Sequence, residues 1–130
     1  MIDKCESPIE RQMLDALVSL FRWHDHCIAA EVIPQYKIGK YRADIMVRAV
    51  YSYRQPVHVV VECDGREFHR TPEQKSRDYQ RTLDIEAAGF AVLRFTGSEI
   101  YAGAKECAQV VFDEITRLSY CREAPGNGLL

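Results

Sequence analysis

The chain has 130 residues, the length of one compact domain, and its 47% hydrophobic residues are enough to bury a core. This composition excludes a disordered chain and an extended solenoid. The 17 basic and 19 acidic residues give a net charge of −2, which excludes a polybasic protein that binds nucleic acid through diffuse charge. It does not exclude a nucleic-acid enzyme whose positive charge is concentrated at one place.

The sequence also predicts a cytoplasmic protein that does not enter a membrane. Apolar runs such as Phe90–Leu93 are much shorter than the roughly 20 residues that cross a bilayer. The segment from Met1 to Glu6 is polar and lacks the apolar core of a signal peptide. An odd number of widely spaced cysteines without a C-x-x-C motif argues against disulfides and a structural zinc site. These cysteines are Cys5, Cys27, Cys63, Cys107 and Cys121.

The first half of the chain predicts a helix followed by two strands. Ser7-Pro8-Ile9-Glu10 is a capping box with proline at the first helical position, and apolar residues follow it at helical spacing. Glu31 to Tyr36 is predicted as a strand. Because it contains Pro34, this strand is expected at an edge of the sheet or at a bulge. Gly39 marks a turn, and Tyr41 to Val50 forms the next strand.

The second half predicts a buried strand, a crossover helix, another strand and a closing helix. Val57 to Cys63 is β-branched and nearly all apolar, which is typical of a central strand covered on both faces. Thr71-Pro72-Glu73-Gln74 is a second capping box, and the helix that it opens ends at Gly89. Phe90 to Phe95 is the last predicted strand.

These elements predict one α/β domain over residues 1–120 with the order α-β-β-β-α-β-α, followed by a frayed tail over 121–130. The long crossover between Cys63 and Phe90 favours parallel pairing of the strands that it joins. The short connections before it favour antiparallel pairing. The expected central sheet is therefore mixed.

Acidic residues interrupt this apolar pattern at one end of the predicted sheet. Glu62 and Asp64 project to the same side at the carboxyl end of the central strand, and Asp44 lies in the neighbouring strand. Glu10 lies on the inward stripe of the first helix. Converging carboxylates repel one another unless a cation neutralises them, and oxygen donors favour Mg²⁺ or Mn²⁺ over zinc.

Structural explanations of the same residues stay open at this point. Glu10 could serve only its capping box. Asp44 could form a buried ion pair with Arg42 or Arg94. His69 could be a packing residue near the entry of the following helix.

A basic cluster follows the acidic strand. Its side chains could hold phosphates beside a metal site, without reading sequence. The alternative is a solvated helix face in which Asp78 and Asp84 are interspersed. The cluster consists of Arg66, Arg70, Lys75, Arg77 and Arg81.

Five sequence blocks in order resemble the small endonuclease domains related to the very-short-patch-repair endonuclease, in the PD-(D/E)XK nuclease superfamily. The resemblance covers roughly residues 5 to 118 and implies a restriction-endonuclease-like fold. The blocks are Ser7-x-x-Glu10, Ile38-Gly39-Lys40-Tyr41-Arg42-Ala43-Asp44, Val60-Val61-Glu62-Cys63-Asp64-Gly65-x-x-Phe68-His69, Asp78-x-x-Arg81, and Val92-Leu93-Arg94-Phe95-Thr96-Gly97-Ser98-Glu99-Ile100.

The resemblance implies roles for individual residues. Asp44 matches the metal-binding aspartate of the family, and Glu62 matches the first acid of the (D/E)XK element. Asp64 stands where the wider superfamily has lysine, although Asp64 and His69 are similar to the pattern of this branch. The missing lysine leaves the general base open: His69 could orient or deprotonate the water, and Lys40 or Lys75 could supply the positive charge from another element.

The expected function is a Mg²⁺-dependent or Mn²⁺-dependent endonuclease that hydrolyses DNA. Asp44, Glu62 and Asp64 are the expected metal ligands, and Glu10 and His69 the expected supporting catalytic residues. Arg66, Arg70, Lys75 and Arg77 are the expected nucleic-acid contacts. The alternative is a non-catalytic module that binds nucleic acid or protein on the nuclease fold, and a partner subunit or a homodimer is also left open.

Overall fold

A computed structural model of the chain describes residues 7–22, 27–51, 54–65 and 70–128. The elements follow the predicted order α-β-β-β-α-β-α. They are α1 (Pro8–Arg22), β1 (Cys27–Ile38), β2 (Tyr41–Tyr51), β3 (Val57–Asp64), α2 (Pro72–Ala87), β4 (Ala91–Thr96) and α3 (Gly97–Gly128).

The four strands form one mixed sheet in the order β1-β2-β3-β4. The first two pairings are antiparallel, and β3 pairs with β4 in parallel. The parallel pairing is possible because α2 carries the chain back to the starting end of the sheet. Pro34 lies in β1 at an edge of this sheet, as predicted.

Helices cover both faces of the sheet. On one face, Val59 and Val61 of β3 pack in a core that α1 and α3 close. On the other face, Val60 packs with Ile85 of α2 in a smaller core. The central strand is therefore buried from both sides, which explains its nearly continuous apolar sequence.

Local signals set the ends of the helices. At α2, the Thr71 hydroxyl accepts from the Gln74 N–H at 3.1 Å and the Gln74 side chain accepts from the Thr71 N–H at 2.8 Å, which confirms that capping box. Gly89 follows the helix with φ of 101°, a conformation that glycine adopts without strain.

The first strand is longer than predicted. It begins at Cys27 rather than Glu31 and runs to Ile38, which pairs directly with Tyr41. Gly39, with φ of 58°, makes this turn so short that both strands stay paired up to it. The turn geometry therefore sets the carboxyl end of β1.

The last helix is interrupted at Gly103, where the backbone is extended. After this break, Cys107, Ala108, Val111 and Ile115 are buried in the core. Although α3 spans 32 residues, no helix within the described ranges is both long and apolar enough to cross a membrane.

A hydrogen bond ties the hairpin of β1 and β2 to α2. The Tyr41 hydroxyl donates to Asp84 Oδ2 at 2.5 Å, and the Gln80 amide donates to Asp84 Oδ1 at 2.8 Å. The hydrogen bond from Tyr41 is the main cause that lowers the pKa of Asp84, and the hydrogen bond from Gln80 is the second. The same bond raises the pKa of Tyr41.

We therefore expect Tyr41→Phe to lower the free energy of unfolding near neutral pH. Because folding lowers the pKa of Asp84, the stabilisation by this hydrogen bond is present above the unfolded pKa of Asp84, about 4. It is lost as the pH falls through the lower folded pKa. Because folding raises the pKa of Tyr41, the same stabilisation is present below the unfolded pKa of Tyr41, about 10. It is lost as the pH rises through the higher folded pKa. Urea unfolding of wild type and variant across pH measures the difference.

The matched control is Tyr79→Phe, since Tyr79 lies on the same helix with 67% of its surface exposed. A difference between wild type and Tyr41→Phe that stays constant across the whole pH range would contradict the Tyr41–Asp84 assignment.

Candidate active site

The predicted acids converge on one cavity. This cavity, of about 480 Å³, lies at the carboxyl end of β3 between α1 and α2. Glu10, Asp44, Glu62 and Asp64 all line it. Residues from one helix and two strands therefore meet where the sequence places the site.

Asp44 and Glu62 are held by reciprocal contacts with the backbone. The ladder between β2 and β3 ends at the pair Ile45 and Val61. Beyond it, the Asp44 N–H donates to Glu62 Oε2 at 3.1 Å, and the Cys63 N–H donates to Asp44 Oδ2 at 2.8 Å. Side-chain oxygens thus replace strand-to-strand hydrogen bonds, which fixes both carboxylates where the strands separate.

A backbone irregularity in β1 supports the opposite wall. Val32 packs with α1 and α3, and Ile33 packs on the α2 side, but Tyr36 lies on the α2 side as well. The alternation of faces therefore reverses at Gln35, whose φ of 51° is unusual and costly for a residue other than glycine. The Gln35 amide donates to Glu10 Oε1 at 2.7 Å.

The neighbouring strand reverses at the same place. Ala43 and Met46 both pack on the α2 side, although regular alternation would put them on opposite faces. Ile45 lies between them in the core of α1 and α3. Asp44 is therefore the residue of β2 opposite Gln35, at the point where both strands reverse.

Glu10 combines a capping role with a place in the site. The Ser7 hydroxyl accepts from the Glu10 N–H at 3.3 Å and lies 3.2 Å from Glu10 Oε2. Glu10 is only 6% exposed, and its other oxygen accepts from Gln35. The carboxylate thus has fixed partners at the entry to α1 and on β1, more than a capping box requires.

Arginine side chains neutralise two of the acids. Arg81 of α2 forms an ion pair with Glu62, and it donates through Nη2 to the Arg42 carbonyl at 2.7 Å. Burial lowers the pKa of Arg81, the charge of Asp44 raises it, and the charge of Arg94 lowers it. Arg81 therefore joins α2 to both strands that supply the acids.

Arg70 neutralises the other side of the cavity. It forms an ion pair with Asp64, and its Nε lies 3.3 Å from Asp78 Oδ2. All three side chains line the cavity. In this arrangement the positive charge that the carboxylates require comes from Arg70 and Arg81.

The donor set fits a hard divalent cation by its chemistry. In the arrangement seen here, no group of three or more His, Cys, Asp and Glu side chains within the described ranges could hold an ion. Asp44, Glu62 and Asp64 nevertheless supply carboxylate oxygens to one cavity, the ligands that Mg²⁺ and Mn²⁺ prefer. A bound ion and the two guanidinium groups would therefore share the same carboxylates.

The predicted nucleic-acid contacts lie in different surroundings. Arg70 lines the cavity, whereas Lys75 and Arg77 are exposed on α2 outside the set of residues that lines it. Arg66 and His69 fall outside the described residues. The roles assigned to these five residues stay predictions.

Three residues of the site have roles that the sequence does not predict. Arg70 and Arg81 belong to the predicted cluster of phosphate contacts, but they pair with Asp64 and Glu62. Gln35 carried no signal, because neither its residue type nor its neighbours indicate a positive φ. Cys63 packs partly buried against the core of α1 and α3.

Comparison with known families connects this site to nucleases. The profile of REase_MTES_1575, a restriction endonuclease-like family, matches residues 26–115. Separate searches of curated proteins and of solved structures find no match. The matched segment contains Asp44, Glu62, Asp64 and Arg81, and the narrower relation to the very-short-patch-repair endonucleases stays a prediction. Because the match spans more than half of the chain and the observed fold agrees with it, the chain belongs to this restriction endonuclease-like family.

Proposed function

We propose that this protein is a divalent-metal-dependent endonuclease that hydrolyses phosphodiester bonds in DNA. The observation that carries the proposal is the pair Asp44 and Glu62, fixed side by side by backbone hydrogen bonds in a domain of a nuclease family. Asp44 and Glu62 would hold the ion, and Asp64 would add a further carboxylate. A bound ion of this kind polarises the scissile phosphate and lowers the pKa of the attacking water.

The protein supplies position and charge to this reaction. Hydrolysis joins the water oxygen to phosphorus and breaks one P–O bond, and the leaving oxygen takes up a proton. Glu10, held by Ser7 and Gln35, is placed to accept a hydrogen bond from water in the cavity. Arg81 and Arg94 also line the cavity, where they can offset negative charge that develops on phosphate oxygens.

The arginines indicate an exchange of partners during substrate binding. Without substrate, the guanidinium of Arg81 neutralises Glu62. If Glu62 held a metal ion, Arg81 would be available for the phosphate, whose oxygen pairs suit a guanidinium. The free energy lost from the ion pair is then offset by the new contact.

The same ion pairs favour one alternative function. A non-catalytic module that binds nucleic acid on this fold would also keep its carboxylates neutralised by Arg81 and Arg70. The two functions differ in the response to metal. The nuclease binds a divalent ion at the acids, and the binding module does not.

Asp44→Asn tests the proposed metal ligand directly. Asparagine keeps an oxygen that can accept from the Cys63 N–H, so we expect the free energy of unfolding to stay within about 1 kcal/mol of wild type. Loss of the charge should abolish Mn²⁺ binding in calorimetry and reduce DNA cleavage by at least about 100-fold. The control is Asp113→Asn, an exposed aspartate on α3 that accepts from Gln109.

The proposal fails if wild type binds no divalent ion at millimolar concentration and cleaves none of a panel of duplex, mismatched, branched and single-stranded DNA. If wild type in that case still binds DNA, the result supports the non-catalytic module.

Arg81→Gln tests the competition between guanidinium and metal. Glu62 is 6% exposed, so removal of its cation should destabilise the metal-free protein by about 3 kcal/mol or more. Mn²⁺ affinity should rise, because Arg81 no longer occupies Glu62, and added Mn²⁺ should restore part of the stability. Denaturation with and without Mn²⁺, together with calorimetry, measures both effects.

Arg117→Gln is the matched control, since Arg117 forms an exposed ion pair with Glu114 whose loss should change stability by at most about 1 kcal/mol. If Arg81→Gln lowers stability but leaves Mn²⁺ affinity unchanged, the ion and Arg81 do not share Glu62.

Two neighbouring acids should differ in their importance for cleavage. Glu62 is buried and bound to the Asp44 N–H, whereas Asp64 faces Arg70. We expect Glu62→Gln to abolish cleavage with both Mg²⁺ and Mn²⁺. Asp64→Asn should keep measurable cleavage, higher with Mn²⁺, which tolerates less ideal ligands. Equal loss in both variants with both metals would show that Asp64 is as essential as Glu62.

A further inference from the structure

A second cavity adjoins the acidic one at the turn of the β1–β2 hairpin. It has a volume of about 360 Å³ and shares Asp44 with the acidic cavity. Three cationic residues line it, Lys37, Lys40 and Arg42, and Asp44 is the only acid among its described lining residues. Positive charge is thus concentrated next to the proposed catalytic centre.

Two of these cations are direct neighbours across the strands. Lys37 pairs with Arg42 in the ladder between β1 and β2. Tyr36 packs on the α2 side, so strand alternation puts both Lys37 and Arg42 on the face away from α2. Like charges at directly opposite positions destabilise a sheet. Within the described part of the chain, neither side chain forms an ion pair that would compensate this repulsion.

At the other end of the same hairpin, opposite charges face each other across the strands. There Glu31 lies opposite Arg48, and the two side chains form an ion pair at 3.4 Å. The strands therefore pair opposite charges far from the site and like charges beside it. An anion bound between Lys37 and Arg42 would remove the repulsion.

The hairpin turn is held in a fixed position relative to the acids. Tyr41 is bonded to Asp84 of α2, and the Arg42 carbonyl accepts from Arg81, which is paired with Glu62. An anion bound at the hairpin would consequently lie at a defined place beside the carboxylates. This arrangement suits a contact that positions a substrate.

We propose that Lys37, Lys40 and Arg42 bind the phosphate backbone of the nucleic acid next to the bond that is cleaved. The proposal rests on the function proposed above and names the surface that holds the substrate. Three exposed cations on two strands and a turn can contact more than one phosphate, which favours a polynucleotide over a single phosphate ion. Such contacts fix the register of the nucleic acid and do not read its sequence.

The test replaces the three hairpin cations together. The variant Lys37→Gln/Lys40→Gln/Arg42→Gln is compared with Arg11→Gln/Arg22→Gln/Lys105→Gln, which removes the same charge from exposed helix positions. Fluorescence anisotropy of a labelled DNA duplex in EDTA measures affinity between about 50 and 200 mM salt. Thermal unfolding of each protein without DNA is recorded in parallel.

We expect the hairpin variant to lose at least about tenfold in affinity and to flatten the salt dependence by about 0.9 units of slope for each lost phosphate contact. The helix control should change the slope by less than about one unit. The hairpin variant should melt at the same temperature as wild type or higher, because it relieves the repulsion between Lys37 and Arg42. A lower melting temperature would contradict the like-charge argument.

The outcomes separate this surface from the proposed activity. If the hairpin variant binds DNA with the affinity and the salt dependence of wild type, the proposed phosphate-binding surface is wrong, even if wild type cleaves DNA. If it loses binding while wild type cleaves nothing with Mg²⁺ or Mn²⁺, the surface is supported and the nuclease proposal fails. Equal losses in both triple variants would mean that total charge matters and would overturn the hairpin assignment.

Discussion

The site depends on two backbone N–H groups that lose their strand partners where β2 and β3 separate. The carboxylate of Glu62 accepts from Asp44, and the carboxylate of Asp44 accepts from the Cys63 N–H. Buried carboxylates and unpaired N–H groups are each unfavourable, and this arrangement satisfies both at once. The acids are therefore positioned by the sheet itself, at the end of the strand β3, in which Val57, Val59, Val60 and Val61 are almost completely buried.

Positive charge in this region comes from residues that are distant in sequence. Arg81 joins α2 to Glu62 and to the carbonyl of Arg42. Lys37 and Lys40 line the adjoining cavity with Asp44 and form no ion pair in the described part of the chain. A chain with a net charge of −2 can thus present a cationic surface, because the charge is local. The overall charge excludes diffuse binding of nucleic acid, and it says nothing against a short contact next to the catalytic centre.

The sequence predicts the element order and the convergence of the acids because both depend on local patterns. The capping box at Thr71 and the apolar run of β3 are each encoded within a few residues, and the crossover between β3 and β4 follows from them. The pairing of Arg81 with Glu62 depends on where α2 lies against the sheet, which no local pattern contains. The positive φ of Gln35 is set by packing on both sides of it, since glutamine has no preference for that conformation.

That strained residue accounts for the chemistry of both cavities. Without the reversal at Gln35 and Asp44, regular alternation would direct Lys37 and Arg42 toward α2, into the side where Ala43 and Tyr36 now pack. The reversal instead keeps apolar residues against α2 and leaves the charged ones on the opposite face. It also lets Gln35 reach Glu10, which lies across the acidic cavity. A distortion that costs about 1 kcal/mol or more is thus retained where it keeps the cationic side chains of the hairpin exposed beside the acidic cavity.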